Sequence, residues 1–180
     1  MTEVRTAHTA ELAGHELDAV RALLDQAFGG DFSDADWDHT LGGVHVTLRE
    51  DGEVLAHGAV VQRRLLHGDR ALRTGYVEGL AVRPGRQRQG HGTAVLDALE
   101  RVVRAAYPLG ALSATPEGER LYLSRGWRRW QGRTFVLAPE GLRRTPEEDD
   151  AVFVLPPGDG GTPLDLTGDL VCDWRCGDVW

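Results

Sequence analysis

The sequence contains no lysine, no isoleucine and no asparagine. All 20 basic residues are therefore arginines, a bias typical of a GC-rich genome. Without lysine, the protein can use neither a Schiff base nor a lysine general base. The same absence excludes the Walker phosphate loop, because its motif requires a lysine before the final serine or threonine.

Long hydrophobic runs are also absent. No stretch approaches the roughly 18 consecutive apolar residues that a membrane-spanning helix needs. The N-terminal sequence MTEVRTAHTAELAGHEL is too polar for a signal peptide. We therefore expect a cytoplasmic protein that does not contact membranes. Its 180 residues are enough for a single domain, residues 1–180, with a core of its own.

Acidic residues outnumber basic residues, and the formal net charge is −8. Nucleic acid is disfavoured as a partner because phosphate binding needs a basic face. A cationic substrate fits better, although the same charge also keeps a small domain soluble.

Metal-binding motifs are absent as well. Cys172 and Cys176 form a C-x3-C pair without a second pair, and the seven histidines include no H-E-x-x-H motif. We expect reduced thiols and no metal site.

Hydrophobic periodicity predicts the order of the secondary-structure elements. The predicted elements are a strand in EVRTAHT, a helix from Leu17 to Phe28, a short helix capped by Ser33, a three-stranded antiparallel meander from Val44 to Val82, a helix from Val95 to Ala106, a strand in LGALSAT, a short helix near EGERLYLSRG, and strands in TFVLAP and AVFVLP. The segment PPGDGGTPLDLTGD is predicted to be a surface loop. This pattern indicates an α/β (α+β) protein.

One arginine- and glycine-rich loop stands out, in GYVEGLAVRPGRQRQGHGTAVLDALERVV, residues 75–103. It joins a strand to an amphipathic helix. The N-terminus of a helix has free N–H groups and a partial positive charge, and Gly90 and Gly92 would let the backbone approach a phosphate closely. The dinucleotide motif G-x-G-x-x-G does not fit, because GHGTAV lacks the third glycine and follows antiparallel strands. An ordinary glycine-rich turn is the alternative.

The loop and its surroundings resemble a known family. Residues Gln87–Gly92, QRQGHG, match the Q/R-x-x-G-x-G/A signature of the GCN5-related N-acetyltransferases (GNAT). A closer resemblance, over nearly the full length, is to the aminoglycoside 2′-N-acetyltransferases. It rests on FGGDFSDADWDHTLGG, VVQRRLL, LRTGYVEGLAV, LYLSRGW, VLAPEG, TPEEDDAVFVLP and CDWRCGDVW.

The resemblance implies a GNAT fold, with a mixed, mostly antiparallel central sheet flanked by helices. It also implies acetyl-CoA as cofactor, with coenzyme A as product. The implied cofactor-binding residues are Leu80, Val82, Gln87, Arg88, Gln89, Gly90, His91, Gly92 and Thr93. The N–H group of Leu80 would hold the thioester oxygen as charge develops on it, and Gly79 would ease a bulge there.

Amine acetylation needs a base, because a sugar ammonium must lose a proton before it attacks a thioester. Glu78 lies in the strand that leads to the loop, and the resemblance implies that it acts through ordered water. The alternative is a carboxylate exposed at a strand end. Tyr122, in RLYLSRG, is the candidate acid that protonates the leaving thiolate. The alternative is a tyrosine that only packs.

A polycationic sugar requires carboxylates, because each ammonium exchanges water for charge-assisted hydrogen bonds. The resemblance implies that the aminoglycoside site contains Asp31, Asp36, Glu78, Ser113, Glu148 and the terminal carboxylate of Trp180. For Glu148, a solvated acidic run is an equally good interpretation.

The predicted function is acetyl transfer from acetyl-CoA to the 2′-amino group of aminoglycosides, and hence antibiotic resistance. Two alternatives stay open. The acceptor could be a polyamine, a protein amine or a cell-wall precursor, or the protein could bind acyl-CoA or the drug without catalysis. The sequence does not determine the oligomeric state, and a homodimer stays open.

Overall fold

A computed structural model describes residues 1–156 and 164–180. The strands are β1 (Thr2–His8), β2 (Val44–Glu50), β3 (Glu53–His67), β4 (Arg70–Val82), β5 (Leu109–Ser113), β6 (Arg128–Arg129), β7 (Thr134–Ala138), β8 (Gly141–Arg144), β9 (Val152–Leu155) and β10 (Leu170–Asp173). The helices are α1 (Gly14–Ala27), α2 (Asp34–Thr40), α3 (His91–Ala106) and α4 (Glu119–Ser124), with 3-10 helices at Thr9–Glu11 and Pro146–Glu148. The central part of the predicted surface loop, residues 157–163, lies outside the described residues.

The chain groups into two compact units. The first contains Met1–Val61 and Val77–Val102, and the second contains Gln62–Tyr76 and Val103–Trp180. Strands β3 and β4 therefore contribute residues to both. The single domain expected over residues 1–180 stays a prediction.

The first unit is built on antiparallel strands. Strand β1 pairs with β2 from Thr2↔Glu50 to His8↔Val44. Strand β2 pairs in turn with β3, antiparallel, with an irregularity between Leu48 and Arg49. Strand β4 is the other neighbour of β3. The antiparallel β2–β3 hairpin was expected from the alternating pattern and its DGE turn.

Helices cover both faces of β4 in the first unit. On one side, α1 and α2 bury an apolar cluster with β4, formed by Val20, Leu24, Phe32 and Ala81. On the other side, α3 approaches β3 so closely that a Cβ atom on Gly58 would lie 2.7 Å from Leu99. Leu80 lies beside Gly58 as well. Because Leu80 and Ala81 are consecutive, they face opposite sides of the strand.

The second unit contains a mixed sheet with the strand order β6-β9-β5-β4-β3-β10-β7-β8. Strands β4–β5 and β7–β10 pair in parallel, whereas β5–β9, β6–β9, β3–β10 and β7–β8 pair antiparallel. The predicted mixed, mostly antiparallel sheet of an α+β fold is therefore confirmed. The pairing of β4 with β5 covers three residue pairs, Thr74↔Leu109 to Tyr76↔Ala111.

Hydrophobic periodicity does not predict three of the strands, β6, β8 and β10. The first two, RR and GLRR, are short and basic; β6 pairs with the distant strand β9, and β8 pairs with β7 across a tight turn. Strand β10, LVCD, is only four residues long. Among the described residues, no helix combines the length and the apolar character needed to cross a membrane.

Candidate functional site

The predicted phosphate loop connects the end of β4 at Val82 to the start of α3 at His91. Gly90 has a φ angle of +86°, which favours glycine, and a Cβ atom placed on it would meet no atom within 4 Å. The loop backbone is therefore open on this side. Its position before a helix of 16 residues fits the binding of a pyrophosphate.

Two arginines of this loop bind other parts of the first unit. Arg86 makes a 2.6 Å ion pair with Glu50 at the end of β2. Arg83 donates a 3.0 Å hydrogen bond to the carbonyl of Val54 in β3. The third, Arg88, is exposed and has a φ angle of +61°. The sequence did not predict that Arg83 and Arg86 would hold the loop in place.

The remaining predicted cofactor residues lie in the loop or beside it. Gln87 fixes the loop internally, because its Oε1 accepts a 3.0 Å hydrogen bond from the Gly85 N–H. The predicted residues Gln87, Arg88, Gln89, Gly90 and Thr93 are exposed, and Leu80, Val82, His91 and Gly92 are half-buried.

Glu78 lies in β4, is half-buried and precedes an irregular backbone position. Gly79 has a φ angle of +54°, and a Cβ atom there would lie 3.1 Å from Cγ2 of Thr40. The carbonyl oxygen of Gly79 accepts a 2.9 Å hydrogen bond from Nδ1 of His57 in β3. The positive φ supports the expected bulge at Gly79, whereas the contact from His57 was not predicted.

The acidic segment between α1 and α2 supplies two predicted substrate ligands. Asp31 is exposed in the turn, and Asp36 is half-buried in the first turn of α2. Ser33 caps α2, as expected, since its Oγ accepts a 3.1 Å hydrogen bond from the Asp36 N–H. In return, Asp36 Oδ2 accepts 2.8 Å hydrogen bonds from the N–H and the hydroxyl of Ser33. Asp36 therefore has a capping role as well.

Ser113 and Glu148 come together in the second unit. The Ser113 hydroxyl donates a 2.7 Å hydrogen bond to Oε2 of Glu148. Burial raises the pKa of the Glu148 carboxyl, and the hydrogen bond from Ser113 acts in the opposite direction. Glu148 is thus a partly buried carboxylate with a specific partner, unlike the solvated acidic run that was the alternative.

Tyr122 is buried in α4, with 7% of its surface exposed. Its ring lies edge-on to Trp127, with centroids 5.8 Å apart, and 6.2 Å from the ring of Phe153. Burial raises the pKa of the Tyr122 phenol. The phenol therefore keeps its proton at neutral pH, as an acid in the reaction requires.

Trp180 is held firmly in the second unit, with 3% of its surface exposed. Its indole Nε1 donates a 2.9 Å hydrogen bond to Oγ1 of Thr145. Arg175 donates to a backbone oxygen of Trp180. Arg63, itself buried, donates a 2.7 Å hydrogen bond to the carbonyl of Val179. The predicted ligand is therefore fixed, but one of its oxygens already has an arginine partner.

The structure thus places the candidate residues in two groups. The loop, Glu78, Asp31 and Asp36 lie in the first unit, and Tyr122, Ser113, Glu148 and Trp180 lie in the second. Sequence reasoning missed the residues that hold these side chains, which are His57, Arg83, Arg86, Thr145 and Arg175. A signal for His57 was its position within the apolar run 54–61 of β3.

Comparison with known proteins identifies the relatives of this chain. The acetyltransferase (GNAT) family matches residues 15–129. An aminoglycoside 2′-N-acetyltransferase from Mycolicibacterium fortuitum is 54% identical over 177 residues, which cover 98% of this chain and 91% of the relative.

Solved structures with low sequence identity share the fold. Escherichia coli ElaA superposes with a TM-score of 0.61 at 16% identity, covering 86% of this chain and 99% of ElaA. A GNAT family acetyltransferase from Brucella melitensis, in complex with acetyl-CoA, has a TM-score of 0.61 at 16% identity, with 94% of each chain covered.

Proposed function

Because the chain belongs to the aminoglycoside 2′-N-acetyltransferase family within the acetyltransferase (GNAT) family, we propose that it transfers an acetyl group from acetyl-CoA to the 2′-amino group of aminoglycosides. The observation that carries this proposal is the 54% identity over 98% of the chain. Modification of the drug would confer resistance. The enzyme would work in the cytoplasm, where acetyl-CoA is available.

Acetyl-CoA supplies the acetyl group as a thioester. The loop Gln87–Gly92 would bind its pyrophosphate through backbone N–H groups, with the N-terminus of α3 adding a favourable partial charge. The positive φ of Gly90 and the open space beside it support this assignment. The backbone of Leu80 and Val82 in β4 would bind the part of the cofactor nearer the thioester.

Glu78 would act as the base. An aminoglycoside amine is largely protonated near neutral pH, so its proton must move before the nitrogen can attack. Glu78 would accept this proton through ordered water. The N–H of Leu80, two residues later, would stabilise negative charge on the thioester oxygen. The irregular backbone at Gly79 supports a role for this part of β4 that a regular strand would not serve.

Tyr122 would act as the acid. Its phenol would donate a proton to the departing sulfur, so that coenzyme A leaves as a thiol. Burial keeps the pKa of this phenol above its ordinary value, so the proton is present over the whole neutral range.

Carboxylates would bind the polycationic drug. Asp31, Asp36 and Glu148 would accept hydrogen bonds from ammonium groups, while Ser113 orients Glu148 and an oxygen of Trp180 adds a further acceptor. Nucleic acid is not proposed as a partner, and the net charge of −8 supports a cationic substrate instead.

Release of coenzyme A thiol, measured with matched drugs, tests this function. Tobramycin has a 2′-amine and should be acetylated, whereas kanamycin A has a 2′-hydroxyl and should not turn over at that position. Spermidine serves as a non-sugar polyamine. Equal turnover with tobramycin and kanamycin A, or faster turnover with spermidine, would refute the proposed acceptor.

A further inference from the structure

A series of hydrogen bonds in the first unit runs through two buried histidines and ends at the carbonyl of Gly79, the residue after Glu78. Oγ1 of Thr9 lies 2.8 Å from Nε2 of His45, and Nδ1 of His45 lies 2.9 Å from Nε2 of His57. Nδ1 of His57 lies 2.9 Å from the carbonyl oxygen of Gly79. Both imidazoles are buried, with exposed fractions of 1% for His45 and 0% for His57.

Both imidazoles are neutral near neutral pH. Burial lowers the pKa of His57 to about 3, and His45 acts in the same direction. Burial also lowers the pKa of His45 to about 4, with a smaller effect of His8. A neutral imidazole has one N–H donor and one nitrogen acceptor, so the contacts determine which nitrogen has the hydrogen.

The Gly79 carbonyl, at the end of the series, determines which group donates in each of these hydrogen bonds. The Gly79 carbonyl can only accept, so His57 donates through Nδ1 and accepts at Nε2. His45 must then donate to His57 through Nδ1 and accept at Nε2 from the Thr9 hydroxyl. The other acceptor within reach of this hydroxyl, the Gly43 carbonyl, is farther away, at 3.3 Å against 2.8 Å for His45. The Thr9 oxygen accepts in turn from the Gly42 N–H at 2.9 Å. Every donor along the chain has an acceptor.

The carbonyl at the end of this chain has an unusual direction. A carbonyl in a regular strand points along the sheet toward a neighbouring strand, whereas side chains stand roughly perpendicular to the sheet. A side chain of β3 can therefore bond the Gly79 oxygen only where the peptide departs from the regular strand. The φ angle of +54° at Gly79 is that departure. His57 supplies a donor to the carbonyl of this half-buried residue.

We propose that His57, oriented by His45 and Thr9, is a positioning residue that holds the Gly79 peptide in its irregular conformation and thereby aims Glu78 at its substrate. This inference rests on the proposed function, because it assumes that Glu78 is the base. His57 does not itself touch the substrate in this account. It acts only through the peptide that follows Glu78.

Two substitutions at one position separate the hydrogen bond from packing. His57→Asn keeps an N–H donor near the position of Nδ1, whereas His57→Ala removes this donor from the Gly79 carbonyl. We expect His57→Ala to lower kcat roughly 5- to 100-fold, the fold-change for a partly buried acceptor that loses a donor. The KM for acetyl-CoA should stay within about twofold of wild type. His57→Asn should restore kcat to within about threefold of wild type.

Thr47→Val is the matched control, because Thr47 is also buried and lies directly opposite His57 in the β2–β3 pairing. It should keep the wild-type kcat. Rates are expressed per folded molecule, with the folded fraction taken from circular dichroism. An unchanged kcat in folded His57→Ala, or a His57→Asn variant as slow as His57→Ala, overturns the proposal. Should His57→Ala not fold, Thr9→Val replaces it, and an unchanged kcat in Thr9→Val overturns the proposal as well.

A double-mutant cycle with Glu78→Ala tests whether His57 acts through Glu78. In the Glu78→Ala background, His57→Ala should cause almost no further loss of kcat. The same fold loss in both backgrounds overturns the proposal. Full activity of Glu78→Ala alone overturns the proposed base and this inference together, whereas an impaired Glu78→Ala beside a fully active His57→Ala overturns the inference alone.

The tautomers provide a readout that does not depend on activity. In the ¹⁵N-labelled wild-type protein near pH 7, both His45 and His57 should have a protonated Nδ1 and an unprotonated Nε2. The Nδ1 proton of His57 should exchange slowly with solvent. An Nε2-protonated tautomer of His57 overturns the proposal, because it cannot donate to the Gly79 carbonyl through Nδ1.

Discussion

The hydroxyl of Ser113 donates a 2.7 Å hydrogen bond to Glu148, a carboxyl group that lies 35 residues further along the chain. Strand β5 ends at Ser113, and the 3-10 helix Pro146–Glu148 ends at Glu148. The bond favours the ionised form of Glu148 and opposes the effect of burial on its pKa. An ionised Glu148 is the form that can bind an ammonium group.

Ser113→Ala should therefore weaken aminoglycoside binding. The pKa of Glu148 rises further without its hydroxyl donor, and the carboxylate loses its fixed orientation. We expect the KM for tobramycin to increase about 3- to 20-fold. Ser124→Ala is the control, since Ser124 donates only to the Leu121 carbonyl in α4. A KM for tobramycin equal to that of the wild type would remove Ser113 and Glu148 from the substrate site.

Tyr122→Phe tests the proposed acid. The substitution deletes one hydroxyl and keeps the ring contacts with Trp127 and Phe153, so folding should change little. We expect kcat to fall about 10- to 1000-fold, while the KM values for both substrates stay similar. Tyr107→Phe, at the end of α3, should behave as wild type. If Tyr122→Phe turns over as fast as wild type, solvent protonates the sulfur and Tyr122 only packs.

Gly90→Val and Gly85→Val form a matched pair in the phosphate loop. Both glycines have positive φ angles, +86° and +80°, and neither Cβ position would meet an atom within 4 Å. The two variants therefore suffer similar backbone strain, but only Gly90 lies in the segment assigned to the pyrophosphate. Isothermal titration calorimetry should show acetyl-CoA affinity reduced at least about 10-fold in Gly90→Val and much less in Gly85→Val. Equal affinities of the two variants would refute the assignment of the loop.

The buried histidines predict a pH-dependent stability. Their folded pKa values, about 4 for His45 and about 3 for His57, lie below the unfolded value near 6.5. At pH values between the folded and the unfolded pKa, each of these histidines binds a proton in the unfolded chain but not in the folded protein. The stabilisation is complete above about pH 6.5 and is lost as the pH falls toward 4, by roughly 1.4 kcal/mol per pH unit for each histidine.

Urea unfolding between pH 7.5 and pH 5 measures this slope. His57→Asn should show a shallower decrease in the free energy of unfolding, because one of the two titrating groups is gone. Thr47→Val, which removes no titrating group and lies opposite His57 in the β2–β3 pairing, should keep the wild-type slope. A wild-type slope in His57→Asn would mean that His57 does not stay neutral in the folded protein.

Local sequence patterns predicted most of the fold. Alternation and helical spacing placed the strands and helices that bury a continuous apolar face, such as β2, β3 and α3. Strands β8 and β10 were missed because GLRR and LVCD mix apolar with charged residues and have no continuous apolar run, unlike VFVL in β9, and both pair with β7. The pairing of these two strands with β7 depends on tertiary packing.

The sequence predicted only those parts of the candidate site that lie within a short local motif. The loop Gln87–Gly92 has a local signature, and the cap at Ser33 follows from residues three apart. The bond from Ser113 to Glu148 and the chain from Thr9 to Gly79 join residues that are distant in sequence. Their contacts depend on strand register, which one sequence does not reveal.

The most direct test of the account is to locate the acetyl group on the product. Purified protein is incubated with acetyl-CoA and tobramycin, and the product is analysed by mass spectrometry with fragmentation and by NMR assignment of the amine-bearing carbons. The account predicts a single added acetyl group, on the 2′-nitrogen. An acetyl group at any other amine, or unmodified tobramycin beside active acetylation of a different amine, would contradict it.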